Sequence, residues 1–179
     1  MRRAMKQTMC MAATMVALMA APQPARAEGF INPWAGVVFG NTEAEQKFGS
    51  FGVAAGLIGR VIGLEVNLGH APNFFQETLK NSETDLTGNL VVGPMMGSGG
   101  YGVRPYVVGG LGLIRTSFEG FSSTQDLAFD LGAGVSVYFT PHVGFRGDAR
   151  YFRTLNSDDL FGAAGDFHFW RAQLGVTIH

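Results

Sequence analysis

The feature of this sequence that most restricts its fold is a strict alternation of apolar residues with mostly small or polar ones between positions 126 and 139. No even-numbered position of this segment carries a large aliphatic side chain. The seven odd-numbered positions are all apolar: Leu127, Phe129, Leu131, Ala133, Val135, Val137 and Phe139. A period of two residues predicts a β-strand with one apolar face. Its fourteen residues exceed the ~5–6 of a typical soluble strand and suit a tilted strand that crosses a membrane, which needs ~9–11.

The same period recurs along the chain, and the connections between the repeats alternate in character. We predict eight strands, at residues 31–41, 48–58, 61–70, 84–95, 104–116, 126–139, 142–154 and 170–178. The connections 59–60, 97–102 and 140–141 are short or rich in small residues, whereas 41–47, 71–83, 117–123 and 155–165 are longer and more polar. Short turns at one end and long loops at the other are typical of outer-membrane barrels. The sequence therefore predicts an all-β fold, an eight-stranded antiparallel up-and-down transmembrane β-barrel with both chain ends on the periplasmic side.

Residues 1–27 have the three regions of a secretory signal peptide. Basic residues at positions 2, 3 and 6 precede an apolar stretch from 9 to 21, and Ala25-Arg26-Ala27 offers the small residues that a signal peptidase reads. We predict a cleaved signal peptide at 1–27 and one barrel domain at 28–179. Cleavage would remove the single cysteine and leave a net negative charge. A disulfide scaffold is excluded, and no nucleic acid partner is expected because the chain is not basic.

The polar face of the predicted strands identifies the candidate site. In a soluble barrel the apolar face would point inward, whereas in a membrane barrel it points to lipid and the polar face lines the lumen. The polar face here is rich in glycine, which suits a narrow interior better than a solvated surface. It also carries equal numbers of opposite charges: Arg104, Arg146, Arg150 and Arg171 against Glu65, Asp126, Asp130 and Asp148. Because a buried charge is costly unless it is paired, we predict an ionic network that fills the lumen.

Two further sets of residues are assigned to the barrel ends. The predicted outer loops are acidic, with Glu43, Glu45, Glu77, Glu83, Asp85, Glu119, Asp158, Asp159 and Asp166 against Lys47 and Lys80. A solvated surface is the favoured explanation, and divalent cations that bridge to lipopolysaccharide or repulsion of anionic ligands are the alternatives. Aromatic girdles are expected at the membrane boundaries, formed by Tyr151, Phe152, Phe167, Phe169 and Trp170 at the outer rim and Trp34, Tyr138 and Phe139 at the periplasmic rim.

The residues offer little support for catalysis or metal binding. His168 lies near Asp158, Asp159 and Asp166, and Ser157 is available as a nucleophile, but no local signature supports a catalytic pair. His70 and His142 are predicted on opposite sides of the membrane, so they cannot share a metal ion. We therefore expect no enzyme activity, no cofactor and no metal site.

Three segments carry a resemblance to a known family. They are Arg-Pro-Tyr-Val-Val-Gly-Gly-Leu-Gly from position 104, Asp-Leu-Gly-Ala-Gly-Val-Ser-Val-Tyr-Phe from 130, and Gly-Phe-Arg-Gly-Asp-Ala-Arg-Tyr-Phe from 144. With them, the chain after residue 27 resembles the outer-membrane β-barrel superfamily that holds the OmpA transmembrane domain, OmpX and the opacity-type surface proteins. In that family the last strand usually ends on an aromatic residue that the barrel assembly machinery reads, whereas this sequence ends on Ile178-His179.

The resemblance and the residues together suggest a function. We expect a monomeric outer-membrane protein with a structural or surface-interaction role and a largely plugged polar lumen, since eight strands enclose space for little more than side chains. Its expected partners are outer-membrane lipid, lipopolysaccharide and the barrel assembly machinery. A small-solute pore or transporter and a lipid A-modifying enzyme remain alternatives.

Overall fold

A computed structural model describes residues 27–40, 48–72, 81–99, 101–118, 124–155 and 168–179 of the chain. In these segments every regular element is a strand: β1 Glu28–Phe39, β2 Phe48–Ile58, β3 Ile62–Pro72, β4 Asn81–Val92, β5 Met96–Ser98, β6 Tyr101–Phe118, β7 Thr124–Tyr138, β8 Val143–Thr154 and β9 His168–Ile178. Among the described residues, no helix has the length and apolar character needed to span a membrane. The predicted signal peptide lies outside the described residues except for Ala27.

Eight of the nine strands close into a barrel. Each is antiparallel to its neighbours, in the order β4-β3-β2-β1-β9-β8-β7-β6, and the pairing of β4 with β6 closes the ring. The first and last strands pair directly, with Trp34 opposite Gly175. The short β5 pairs only with the start of β6 and extends that hairpin beyond the barrel wall. The prediction of an eight-stranded up-and-down barrel is confirmed.

The two ends of the barrel differ in their connections. One end, which we call the turn end, carries the start of β1, the end of β9 and the connections 59–61, 93–100 and 139–142. At the opposite end, the far end, residues 40–47, 73–80, 119–123 and 155–167 join the strands. This arrangement matches the predicted alternation of connections, although the four segments at the far end fall almost entirely outside the described residues.

The alternation places apolar side chains outside and polar ones inside. Leu64 and Leu174 are 64% and 65% exposed, whereas Arg150 in the lumen is 0% exposed. An outer surface of exposed leucine, valine and phenylalanine around a charged interior is the arrangement of a membrane barrel. The alternative of a soluble barrel with an apolar interior is therefore wrong.

The predicted aromatic girdles are wrong for four residues. Trp34, Tyr138, Phe152 and Phe169 are buried inside the barrel instead of lying at its outer rims. Their positions follow the inward phase of their strands, because Phe152 succeeds Arg150 and Phe169 precedes Arg171 at two-residue spacing. Tyr151 and Trp170, which point outward with ring centroids 5.3 Å apart, and Phe139, which is exposed, fit the prediction. Phe167 lies outside the described residues.

The last residue, His179, continues the sheet at the turn end. Its backbone N–H donates to the carbonyl oxygen of His142 at 2.9 Å, and its ring centroid lies 5.3 Å from that of Tyr138. Burial lowers the pKa of the His179 imidazole below its ordinary value. Its Nδ1 atom lies 3.9 Å from Oε2 of Glu28, and burial, which favours the neutral imidazole, weakens any ion pair there.

Inward-facing glycines allow neighbouring side chains to fill the lumen. A Cβ atom on Gly134 would meet the Cβ atom of Asp148, the carbonyl oxygen of Gly147 and the hydroxyl oxygen of Tyr106. A Cβ atom on Gly132 would meet Arg150 at its Cγ atom, 2.8 Å away. The glycines of the polar face thus leave the space that the charged side chains occupy.

We predict that Gly134→Val destabilises the barrel by about 1–3 kcal/mol, because the added side chain overpacks the lumen against Tyr106 and Asp148. The measurement is the urea midpoint of the refolded protein in detergent micelles. Gly49→Val is the matched control, since a Cβ atom there meets nothing within 4 Å. Equal midpoints for both variants would contradict the overpacking argument.

Candidate functional site

The interior of the barrel is the candidate site, and it is layered along the barrel axis. An apolar cluster fills the turn end, formed by Phe30, Ile58, Val91, Tyr106 and Val108. A second apolar cluster fills the far end, formed by Val38, Ala71, Ile114, Ala128, Phe152 and Phe169. In it the rings of Phe152 and Phe169 stack at 4.8 Å with an angle of 9° between their planes. Charged and amide side chains occupy the space between the two clusters.

Arg150 is the centre of this charged layer. Its Nη2 atom lies 2.9 Å from Oε1 of Glu65, and its Nε atom lies 2.9 Å from Oδ1 of Asp148. Its Nη1 atom is 3.5 Å from Oδ2 of Asp130. These three carboxylates come from β3, β8 and β7, so one guanidinium connects strands on different sides of the lumen.

Arg146 forms a second layer of the network, closer to the turn end. Its Nη1 atom donates to Oε2 of Glu65 at 2.5 Å, so Glu65 bridges Arg146 and Arg150. Its Nε atom donates to the hydroxyl oxygen of Tyr106 at 2.7 Å, and that hydroxyl donates to Oδ2 of Asp148 at 2.6 Å. The guanidinium carbon lies 4.6 Å from the centroid of the Tyr106 ring. A cation over an aromatic face gains further electrostatic stabilisation.

Arg171 pairs with Asp85, a carboxylate predicted from the sequence to lie in an outer loop. Its Nη1 and Nη2 atoms donate to the two carboxylate oxygens of Asp85 at 2.5 and 3.3 Å. Its guanidinium carbon also lies 4.5 Å from the Trp34 ring and 4.4 Å from the Phe152 ring. The bidentate pair is shielded by aromatic rings and marks the boundary between the charged layer and the far-end cluster.

The assignment of Asp85 and Glu83 to an outer loop is wrong. Both residues are buried in β4, which begins at Asn81 instead of at residue 84. The signal was present in the sequence, because Glu83 and Asp85 continue the inward phase of Thr87 and Asn89. Neither carboxylate oxygen of Glu83 has a hydrogen-bond partner among the described residues.

The structure does not bring every predicted network residue together. Glu65, Asp130, Arg146, Asp148 and Arg150 form one connected group, and Arg171 pairs with Asp85. Two other residues stay apart. Arg104 is buried beside Tyr138 at the turn end, and Asp126 is half-buried opposite Ile114 toward the far end. Within the described segments, neither Arg104 nor Asp126 makes an ion pair.

The network leaves little free space. The enclosed void at the turn end, lined by Phe30, Arg104, Tyr106, Tyr138 and Arg146 among others, cannot hold a water molecule. Among the described residues, no group of three or more histidine, cysteine, aspartate or glutamate side chains could hold a metal ion. His168, the candidate general base, has its ring 5.9 Å from that of Tyr151, while Ser157, Asp158, Asp159 and Asp166 lie outside the described residues. The chemistry that the described lumen supports is charge pairing between side chains of different strands.

Comparison with solved structures finds small outer-membrane barrels. Neisserial surface protein A superposes with a TM-score of 0.68 at 18% identity, over 85% of this chain and 97% of that one. The N-terminal β-barrel domain of OprF from Pseudomonas aeruginosa gives 0.54 at 18% identity, over 86% and 98%. Ail, the attachment invasion locus protein of Yersinia pestis, gives 0.51 at 16% identity, over 85% and 99%. At such identities the likeness establishes the fold.

The comparison with curated protein sequences found no match. The family comparison was positive: the model of the outer membrane protein beta-barrel domain matches residues 11–179. This match covers all the described strands, and it agrees with the resemblance predicted from the sequence. The chain therefore belongs to the outer-membrane protein β-barrel family, whose members reside in the bacterial outer membrane.

Proposed function

We propose that this protein has a structural or surface-interaction role in the outer membrane and that its lumen stays closed. The observation that carries the proposal is the Arg150 centre, where three carboxylates surround one fully buried guanidinium. A solute could pass only if these contacts broke together, because Glu65 also pairs with Arg146. Separating buried opposite charges without new partners costs several kcal/mol.

The proposed orientation follows the family and the connections. The turn end faces the periplasm, and the far end faces the cell exterior, where the longer, acidic segments such as 155–167 would meet the surroundings. The outward leucine and valine side chains contact lipid, with lipopolysaccharide as the outer-leaflet component. Insertion would depend on the barrel assembly machinery, and we propose a monomer because the barrel wall closes on itself without a second chain.

Two other functions make different predictions. A small-solute pore or transporter would need a lumen that rearranges. Arg104 could move without breaking an ion pair to any described residue, and its buried Nε and Nη1 atoms have no hydrogen-bond partner among those residues. A lipid A-modifying enzyme would need a catalytic group at the far end, such as His168. The closed charged layer favours the structural role over the pore, and the enzyme is distinguished by its effect on lipid A.

We predict negligible steady conductance for the protein in planar lipid bilayers. Arg150→Ala should produce cation-selective current, because it removes the side chain that fills the lumen centre and leaves three carboxylates without their common partner. Asp126→Asn is the control, since Asp126 makes no ion pair with any described residue. Large, stable currents from the unaltered protein would contradict the closed lumen.

We predict that Glu65→Gln lowers the free energy of unfolding by about 3–5 kcal/mol, because removing one partner of a buried ion pair is strongly destabilising and Glu65 is the carboxylate that pairs with both Arg146 and Arg150. The Asp126→Asn control should change it by less than about 0.5 kcal/mol. Both values come from urea unfolding in micelles, followed by tryptophan fluorescence. A Glu65→Gln effect as small as the control would show that the network contributes little to stability.

Mass spectrometry of lipid A from cells with and without the protein tests whether the protein modifies lipid A. We expect identical lipid A species in the two preparations. A mass change that disappears in the His168→Ala variant would replace the structural role with an enzymatic one.

A further inference from the structure

The outward faces of the described strands carry charge of one sign, at one end of the barrel. Every acidic residue of the described strands lies in the inward phase, from Glu28 at the mouth to Asp148 in the lumen. The outward phase of these strands carries two formally charged residues, Arg115 on β6 and Arg153 on β8. Both lie at the far end, above the apolar band. The membrane-facing side of the described strands therefore carries positive charge near one end only, whereas the exposed Arg60 lies in a turn at the other end, outside the strands.

Arg115 is part of a polar row that crosses three strands. Thr84 of β4 lies directly opposite Arg115 of β6 and, on its other side, opposite His70 of β3. The Nδ1 atom of His70 and the Oγ1 atom of Thr84 form a hydrogen bond of 2.9 Å. Phe51 of β2 extends the row, with its ring 5.5 Å from the His70 ring in an edge-on arrangement.

Below this row, the same part of the barrel wall has an open apolar groove of about 580 Å³. Its floor is formed by residues with small or absent side chains, Ala55, Gly88 and Gly109. Its walls are the larger outward side chains Leu57, Leu64, Val66, Leu90 and Leu111. A Cβ atom on Gly88 would find its nearest neighbour 3.9 Å away, so at Gly88 the glycine creates open space on the lipid side.

The distance between the polar row and the groove fits the length of a single lipid molecule, with its headgroup at the row and an acyl chain in the groove. Thr84 and Gly88 are four residues apart on β4, which at ~3.3 Å per residue is about 13 Å. One leaflet of the hydrocarbon core is about half of ~30 Å thick. The path from the row to the groove is lined by outward leucines, Leu68, Leu86 and Leu113. A lipid with its headgroup at the row would thus place the lower part of an acyl chain in the groove.

We propose that this surface is a specific binding site for a phosphorylated glycolipid of the outer leaflet, namely lipid A. Its phosphate contacts the guanidinium of Arg115 and the Thr84–His70 pair, and one acyl chain lies in the groove over Gly88. A guanidinium is well suited to phosphate because it donates parallel hydrogen bonds to two oxygens. The site deepens the contact with lipopolysaccharide proposed above and rests on the same orientation, with the far end outward.

The binding of an acyl chain in the groove is tested by a substitution that fills the groove. The protein is purified in detergent, diphosphorylated lipid A is titrated in, and the bound fraction is read by native mass spectrometry. Gly88→Leu should weaken lipid A binding about tenfold, the equivalent of ~1.4 kcal/mol. Gly147→Leu is the matched control, because it adds the same outward side chain on β8, where a Cβ atom makes ordinary contacts of 3.5 and 3.7 Å. Equal weakening of lipid A binding by the two variants would overturn the proposal that the groove holds an acyl chain.

The binding of the phosphorylated headgroup is tested by removing the positive charge of Arg115. Arg115→Gln should weaken lipid A binding about tenfold, whereas Arg153→Gln, on the opposite side of the barrel from the groove, should not. Phosphatidylcholine should bind the unaltered protein less tightly than lipid A does. Equal binding of the two lipids, equal effects of the two arginine variants, or a protein dimer that the Gly88→Leu substitution disrupts, would each overturn the proposal.

Separate measurements check that each variant is folded and that its lumen is closed. Each variant is compared with the unaltered protein by heat-dependent gel migration, so that a loss of binding is scored only for folded barrels. Conductance tests the lumen and lipid titration tests the outer wall. A leaky barrel that still binds lipid A, or a closed barrel that does not, would therefore show which of the two proposals has failed.

Discussion

The architecture depends on the pairing of charges that have no access to water. Arg150 is fully buried, and its cost of burial is offset only because Glu65, Asp148 and Asp130 reach it from three strands. The pairs form only when the strands keep the register in which Gly132 lies opposite Arg150 and leaves room for its side chain. The network thus specifies register as well as filling the lumen.

The same constraint explains why the alternation extends through the chain. A slip of one residue in any strand would exchange its two faces, which in this barrel would move charges into lipid and leucines into the lumen. Closure of β1 on β9 and β4 on β6 removes the open edges that would otherwise leave backbone groups unpaired in the bilayer. Side-chain period, backbone pairing and charge burial therefore require one common register.

The sequence predicts the fold well because alternation is a local signal. It also predicts which charges face inward, but not which of them meet. Arg104 and Asp126 have the correct phase yet lie toward opposite ends of the charged layer, and the height of a residue along the barrel axis depends on strand tilt and stagger, which no short segment encodes. Asp85 illustrates a related point: its acidity favours a loop, whereas its two-residue spacing from Thr87 indicates the lumen, and the structure follows the spacing. Trp34 and Phe152 likewise follow the inward phase of their strands and not the preference of aromatic residues for membrane boundaries.

Because side chains fill the lumen, the outer wall is the described surface that can distinguish this protein from other small barrels. A wall that is uniformly apolar contacts any lipid equally, so selectivity requires departures from uniformity. Two departures occur on the neighbouring strands β4 and β6: the outward side chain is absent at Gly88, and it is positively charged at Arg115. One creates depth within the hydrocarbon region and the other fixes charge at its boundary, and together they match the two parts of a phosphorylated lipid.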